Sequence, residues 1–270
     1  MIKEAWINRK LILKLAKNDF KTRYAGSYLG IVWAFVQPII TIIVYWFVFE
    51  YGLSAGAQLS RSGIEIPFVL WLSAGLIPWF FFSEALSSAT NALIEYNYLV
   101  KKVVFKIEIL PIVKVISSLF VHAFFVAFIL ILYACYGMFP DVYTLQVVYY
   151  SFCMVMLVLA ISYTTSAVVV FFRDLSHIIG IFLQVGVWAT PIMWNFGIIH
   201  NSVLQFIFKL NPMFYIVQGY REALIEKSFF WQSAMGQTMY FWVLTIVLFA
   251  IGRALFKKLK PHFADVLSKE

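Results

Sequence analysis

Charged residues are absent from Leu29 to Phe49, and the stretch before it, from Lys10 to Arg23, alternates basic and apolar positions at helical spacing. At helical periodicity Lys3, Lys10, Lys14, Lys17 and Lys21 fall on one stripe, with Ile2, Trp6, Leu13, Ala16 and Phe20 to its side. That pattern predicts an amphipathic helix lying on a bilayer surface. Asp19 and Arg23 stand four apart, the spacing at which opposite charges on a helix pair. The apolar run that follows spans about 21 residues, enough at roughly 1.5 Å each to cross a hydrocarbon core of roughly 30 Å.

The same alternation continues down the chain and predicts six apolar segments, near 29–50, 66–91, 107–137, 143–171, 175–196 and 235–256. The stretch EYGLSAGAQLSRSGIEIP after the first is Gly- and Ser-rich and reads as an irregular outer loop. Glu84, Ser87, Ser88 and Asn91 share a face at the inner end of the second segment. A carboxylate at that depth must face protein or water, either as a packing bond to a neighbouring helix or in transport. NALIEYNYLVKKVVFKIEILP reads as a short amphipathic helix on the inner face, a lipid anchor or a docking site for a soluble partner, with Pro111 near the start of the next helix. Pro140 and Asp141 mark a tight outer turn, and the short FFRDLSH makes the fourth and fifth segments antiparallel neighbours. Between the fifth and sixth, about 40 residues are too apolar for a solvated loop. Two short helices broken at Asn211 and Pro212 are expected there, either partly re-entrant or forming an interfacial cap.

Composition agrees: 63% of residues are hydrophobic and 13% charged, against roughly a quarter charged in soluble domains. The net charge of +8 does not indicate nucleic acid, because the cations cluster at the ends of apolar segments. Seventeen of the 21 Lys and Arg fall on the side of both termini, leaving Arg61, Lys209, Arg221 and Lys227 opposite, so the positive-inside rule puts both termini in the cytoplasm. The fold class expected is an all-α polytopic membrane protein, a single permease domain over 1–270. It has six transmembrane helices, an amphipathic helix in 1–26, an inner loop at 92–106 and short outer helices in 197–234.

No GxxxxGK[ST] is present, His122, His177, His200 and His262 are isolated, and Cys135 and Cys153 lie in apolar runs. The chain is therefore expected to hold no metal, cofactor or nucleotide of its own and to draw its energy from elsewhere. Trp33, Gln37, Thr41 and Tyr45 recur every four residues in the first segment, and Gln184, Trp188, Pro191 and Asn195 make a similar face in the fifth. Both stripes are candidates for lining a conduit, since polar groups in lipid need partners and aromatic rings suit sugar faces. The alternative is that Gln37 and Thr41 bond a neighbouring helix while Tyr45, Trp46 and Trp194 belong to an interfacial belt.

The run KNDFKTRYAGSYLGIVWAFVQP, with IPWFFFSEALSSATNALIEYNYLVKKVVFKIEILP, FFRDLSHI, TPIMWN and NPMFYIVQGYR in that order, resembles the permease subunits of ABC exporters for cell-surface polysaccharides and teichoic acids. Lys106 departs from that pattern, where a proline after the Phe is usual. The resemblance implies a homodimer, two ATP-binding subunits carrying ATP and magnesium, and export of an undecaprenyl-pyrophosphate-type lipid-linked polymer across the bacterial inner membrane. It further implies ATPase coupling through Glu95, Tyr98, Lys101, Lys102 and Phe105, and an outer gate at Asn211, Pro212, Tyr215, Tyr220 and Arg221. Lys17, Lys21, Arg23 and Arg173 are the candidates for the lipid pyrophosphate, unless they only contact anionic lipid. Exporters of small hydrophobic compounds share the six-helix plan and stay open as the second reading.

Overall fold

The computed structural model describes residues 2–102 and 105–268; Val103 and Val104 of the inner loop, Lys269, and the side chains of Ile2 and Lys3 lie outside that description. In chain order the helices begin with α1 (Ile2–Ile7) and α2 (Arg9–Arg23), then α3 (Trp33–Phe47), which runs on into a π-helical turn. The strands β1 (Gln58–Leu59) and β2 (Glu65–Ile66) precede α4 (Phe68–Thr90) and the single turns α5 (Ala92–Glu95) and α6 (Asn97–Val100). Next come α7 (Leu110–Cys135), α8 (Gln146–Val169) and α9 (Leu175–Ala189). The chain closes with α10 (Ser202–Lys209), α11 (Pro212–Arg221), α12 (Phe230–Ser233), α13 (Met235–Leu259) and α14 (Phe263–Ser268).

Five helical stretches are long and apolar enough to cross a membrane; α9, the expected fifth crossing, has 15 residues, or about 22 Å at 1.5 Å each. It stops at Ala189 because Thr190 precedes Pro191 and is held extended, at φ −97° and ψ 135°. The expected irregular outer loop instead contains a two-stranded antiparallel pair, with Gln58 opposite Ile66 and Leu59 opposite Glu65. The expected helix of the inner loop is two separate turns, α5 and α6, that meet at Tyr96. Pro111 sits in the first turn of α7, where its missing N–H is harmless.

The helix at the centre is the least apolar of the five. The α4 stretch has a mean hydropathy of 1.5 and is 78% buried, whereas that of α7 reaches 2.6 and is 33% buried. Lipid accepts apolar faces as readily as a core does, so hydropathy does not mark burial here. What places α4 inside is its need for partners: Thr90 Oγ1 lies 2.8 Å from Thr165 Oγ1 of α8, and the Leu70 carbonyl accepts Tyr133 Oη of α7 at 2.9 Å.

Against α4 and α8 lies α11, buried along most of its length. Asn211 caps it by accepting from the Met213 N–H at 3.0 Å, and Pro212 opens its first turn, as the break in the sequence anticipates. Gly219 is required: a Cβ there would stand 2.1 Å from Cε1 of the fully buried Tyr150. Three hydroxyl or ring groups then lock α11 to α7 and α8, with Tyr220 Oη 3.0 Å from His122 Nε2 and 2.7 Å from Ser151 Oγ. By contrast α10 is largely exposed.

At the end that carries both termini, α2 lies on α7 through Ile12 and Ala16 against Ile109 and Val113. Trp6 and Leu13, expected on the same apolar side, are 70% and 46% exposed, so that face is turned away from the protein. After α2 the chain turns at Gly26, whose φ of +91° suits glycine, and enters α3. The turns α5 and α6 pack with α14 around Leu93, Val100, Ile107, Phe263 and Leu267.

Candidate functional site

Two cavities that share Glu84 run between α3, α4 and α7 toward the terminal end. One, of about 230 Å³, is lined by Trp33, Gln37 and Thr41 of α3, Phe81 and Glu84 of α4, and Ser118 and His122 of α7. Three of the four residues in the first stripe thus face a common space. Tyr45 does not; it packs on the core beside Phe49, their ring centroids 6.5 Å apart. Four-residue steps overshoot a helical turn by about 40° each, so three of them carry Tyr45 about 120° from Trp33. Thr41 donates to the Gln37 carbonyl of its own helix at 3.0 Å, not to a neighbouring helix.

The stripe on the fifth segment breaks in two. Gln184 and Trp188 are exposed on α9, but the helix ends before Pro191, which is buried, while Asn195 lies beyond the turn. The Pro191 and Ile192 carbonyls accept Arg221 Nη1 and Nη2 at 2.5 and 2.7 Å. Asn195 accepts from the Gly197 N–H at 2.8 Å and donates to Gln58 of β1 at 3.0 Å.

The second cavity, about 380 Å³, holds an ion network at the root of α2. Asp19 accepts Lys114 Nζ at 2.6 Å, Tyr96 Oη at 2.8 Å and Arg23 Nη2 at 3.0 Å. Arg23 also pairs with Glu84 at 2.5 Å and donates to Ser88 at 3.1 Å; Lys114 pairs further with Glu95. Burial by itself would raise the Asp19 carboxyl, but the hydrogen bonds from Lys114 and its neighbours outweigh it and hold the group below its ordinary value. Burial likewise disfavours the Arg23 cation, and the charges of Glu84 and Asp19 more than restore it. Lys114, at membrane depth, is 4% exposed and is tolerated only because two carboxylates meet it.

Of the pyrophosphate candidates, Arg23 is therefore occupied by two carboxylates. Lys17 and Lys21 are exposed on α2, and Arg173 is exposed on the turn between α8 and α9. Among the coupling candidates, Tyr98 is 55% exposed and Lys101 and Lys102 are exposed, whereas Glu95 belongs to the ion network. Phe105 is half-buried beside a hollow of about 340 Å³ that Val100, Lys102, Lys260 and Phe263 also line. The contribution of α14 to that platform has no motif in the sequence. The network around Lys114 had a signal, a lysine inside an apolar segment that needs a counter-charge, but not one that names the partners.

The outer-gate candidates are internal fasteners. Tyr215 Oη lies 3.1 Å from Tyr149 Oη and 2.9 Å from Thr238 Oγ1, so it joins α11 to α8 and α13. Arg221, 4% exposed, stacks 3.5 Å over the Trp71 ring of α4. Asn211 donates to Thr190 Oγ1 at 2.8 Å, and Pro212 stands beside it in the cap. Together they tie the end of α9 to α11. At the same end, Arg61 pairs with Glu222, and Lys227 with Asp141 at 2.5 Å.

Over 267 residues the chain is 26% identical to the O-antigen export system permease protein RfbA of Myxococcus xanthus, covering 98% of each. It is also similar to two Klebsiella pneumoniae proteins of that name, 25% and 27% identical over 262 residues and 95% of each chain. The model of one transmembrane family matches residues 10–225, from the start of α2 through α11, and on that match the chain belongs to the ABC-2 type transporter family.

Proposed function

We propose that the chain is the membrane-spanning permease of an ABC exporter that carries a lipid-linked cell-surface polysaccharide, of the O-antigen kind, across the bacterial inner membrane. The observation that carries this reading is similarity along 95–98% of each chain to proteins named as O-antigen permeases. ATP and magnesium belong to two separate subunits, and a second copy of the chain completes the conduit. Both termini face the cytoplasm, in line with the placement of the basic residues. The segment 1–26 lies at the inner interface, 92–106 meets the ATPase, and 197–234, with α11 re-entrant, closes the outer side. Trp33, Gln37 and Thr41 line the path on one side and Gln184 and Trp188 on the other. Lys17, Lys21 and Arg173 are placed for the pyrophosphate or for anionic lipid, with Arg23 holding the network behind them.

The test is complementation. In a host lacking its own polymer permease, this chain with its cognate ATPase restores polymer at the cell surface, and either alone does not. Polymer retained inside despite a stable complex, with altered resistance to hydrophobic compounds, refutes the reading.

A further inference from the structure

At the end opposite the termini, the tie between the strand pair and α11 leaves a two-lobed cleft. The smaller lobe, about 220 Å³, is lined by Gln58, Arg61, Asn195, Gln218, Glu222 and Glu226; the larger, about 690 Å³, shares Asn195, Phe196 and Gln218 with it. These volumes fall around the roughly 300–1,000 Å³ of small-ligand sites. The geometry points to a binding site for an uncharged hexopyranose unit, placed on the outer side of the exporter; its location relative to the membrane and its role toward the emerging polymer rest on the function proposed above.

Three features argue for a ligand of this chemistry. First, the lining is a convergent set of carboxamides and carboxylates, which accept from and donate to vicinal hydroxyls, beside the half-buried ring of Phe196, which offers an apolar face. Second, several of those groups are held ready yet unused. Glu226 accepts the Arg61 backbone N–H at 2.8 Å through one oxygen, and its other oxygen has no partner among the described residues. The Gln218 amide has none among them either, and the wall of the cleft contains Arg221, buried and with its Nε unpaired. Buried polar groups without partners are uncommon, and a hydroxyl-rich ligand supplies what they lack.

Third, the charges cancel. Arg61 holds Glu222, which also accepts from Ser228, while Arg221 is spent on two carbonyls and on the Trp71 ring. A phosphate or uronate entering here would meet Glu222 and Glu226 with no uncommitted cation in the smaller lobe, so the site favours an uncharged sugar over an anion. Rigid support is present: Asn195 is fixed by Gln58 and Gly197, and Phe196 packs edge-on against Phe214 with centroids 4.7 Å apart.

The experiment uses the full chain with its ATPase in nanodiscs and saturation-transfer NMR with linear tetrasaccharides of mannose, galactose, glucose and rhamnose, plus inorganic phosphate and tetragalacturonate as anionic probes. The expected result is saturable binding of neutral tetrasaccharides and none of the anions, weakened about tenfold by Gln218→Ala and by Phe196→Ala, the loss of one polar or stacking contact. Glu226→Gln, which keeps an acceptor, weakens it less. If no neutral tetrasaccharide saturates, if the anions bind equally, or if the Gln218 and Phe196 variants bind as the unaltered chain does, the site is overturned. Polymer display by the unaltered complex, measured alongside, separates the outcomes. Display without tetrasaccharide binding removes only the cleft, and binding without display removes the export function while leaving a sugar site.

Discussion

Replacing Lys114 by Met should loosen the amino-terminal helix from the rest of the chain. Lys114 and Asp19 have side chains that are each 5% exposed, and their 2.6 Å contact crosses from α7 to α2. Cutting a buried pair typically costs about 3–5 kcal/mol, but Asp19 would keep Arg23 at 3.0 Å and Tyr96 at 2.8 Å, so the loss is nearer that of one charged hydrogen bond, about 2 kcal/mol. That corresponds to roughly a thirtyfold rise in the undocked population. Hydrogen exchange by mass spectrometry reads it directly: peptides covering Ile12–Arg23 exchange faster, while those from the middle of α8 do not change. Adding Asp19→Asn removes the buried charge left behind, so the double variant should exchange more slowly than the two single effects summed. Exchange in α2 that is unmoved by Lys114→Met, or a strictly additive double variant, would show that Ile12 and Ala16 hold the helix and that the ion network is incidental.

The same network predicts a pH dependence. Because the Asp19 carboxyl is held below its ordinary value of 3.8, its contribution to docking is complete above that pH and is lost as the pH falls through the lower, docked value. A spin label at K10C should gain mobility over that acid range in the otherwise unaltered chain and not in Asp19→Asn. Gly219→Ala should destabilise the chain by about 1–3 kcal/mol through overlap with Tyr150, seen as a lowered thermal midpoint in detergent, with Tyr150→Leu restoring part of it. Charge reversal at Lys101 and Lys102, or Tyr98→Asp, should reduce export-coupled ATP hydrolysis at least about tenfold without changing that midpoint, since all three are exposed; full export in these variants would make the loop a lipid anchor. Cysteines at 37, 41, 184 and 188 should react with water-soluble thiol reagents during export and one at 42 should not, Ile42 being 4% exposed; equal labelling would remove the conduit assigned to those positions.

The helices were legible because each apolar run is long and ends at charge or at a turn former. Asn211 and Pro212 fixed the start of α11, and Pro111 the start of α7, since each acts through its own backbone. Faces were less legible. Trp6 and Leu13 look inward by pattern and turn outward in the structure, because lipid and core present the same apolar surroundings to a periodic sequence. The i+4 stripe failed at Tyr45 for a geometric reason, the accumulated overshoot of the helical turn, and at Pro191 because the residue before a proline leaves the helix.

What distinguishes one apolar face from another in this chain is where polar groups must meet, and that depends on pairs far apart in sequence. Asp19 and Arg23 were readable as a pair because four residues separate them; Lys114 is 95 residues from Asp19, and Glu84 is 61 from Arg23. In water an unmatched charge at any of these places would be solvated and would constrain little. Inside a bilayer each must be met within the protein, so the four-sided arrangement of Asp19, Lys114, Arg23 and Glu84 fixes the depth and rotation of α2 against α4 and α7 more narrowly than the apolar contacts of Ile12 and Ala16 do. Arg221 applies the same rule at the other end. Its two carbonyl bonds and its stacking on Trp71 leave one arrangement for α11, α4 and the turn after α9 in which the guanidinium is held. Movement at that end must therefore carry α11 and the 190–192 turn together, or break the Arg221 contacts.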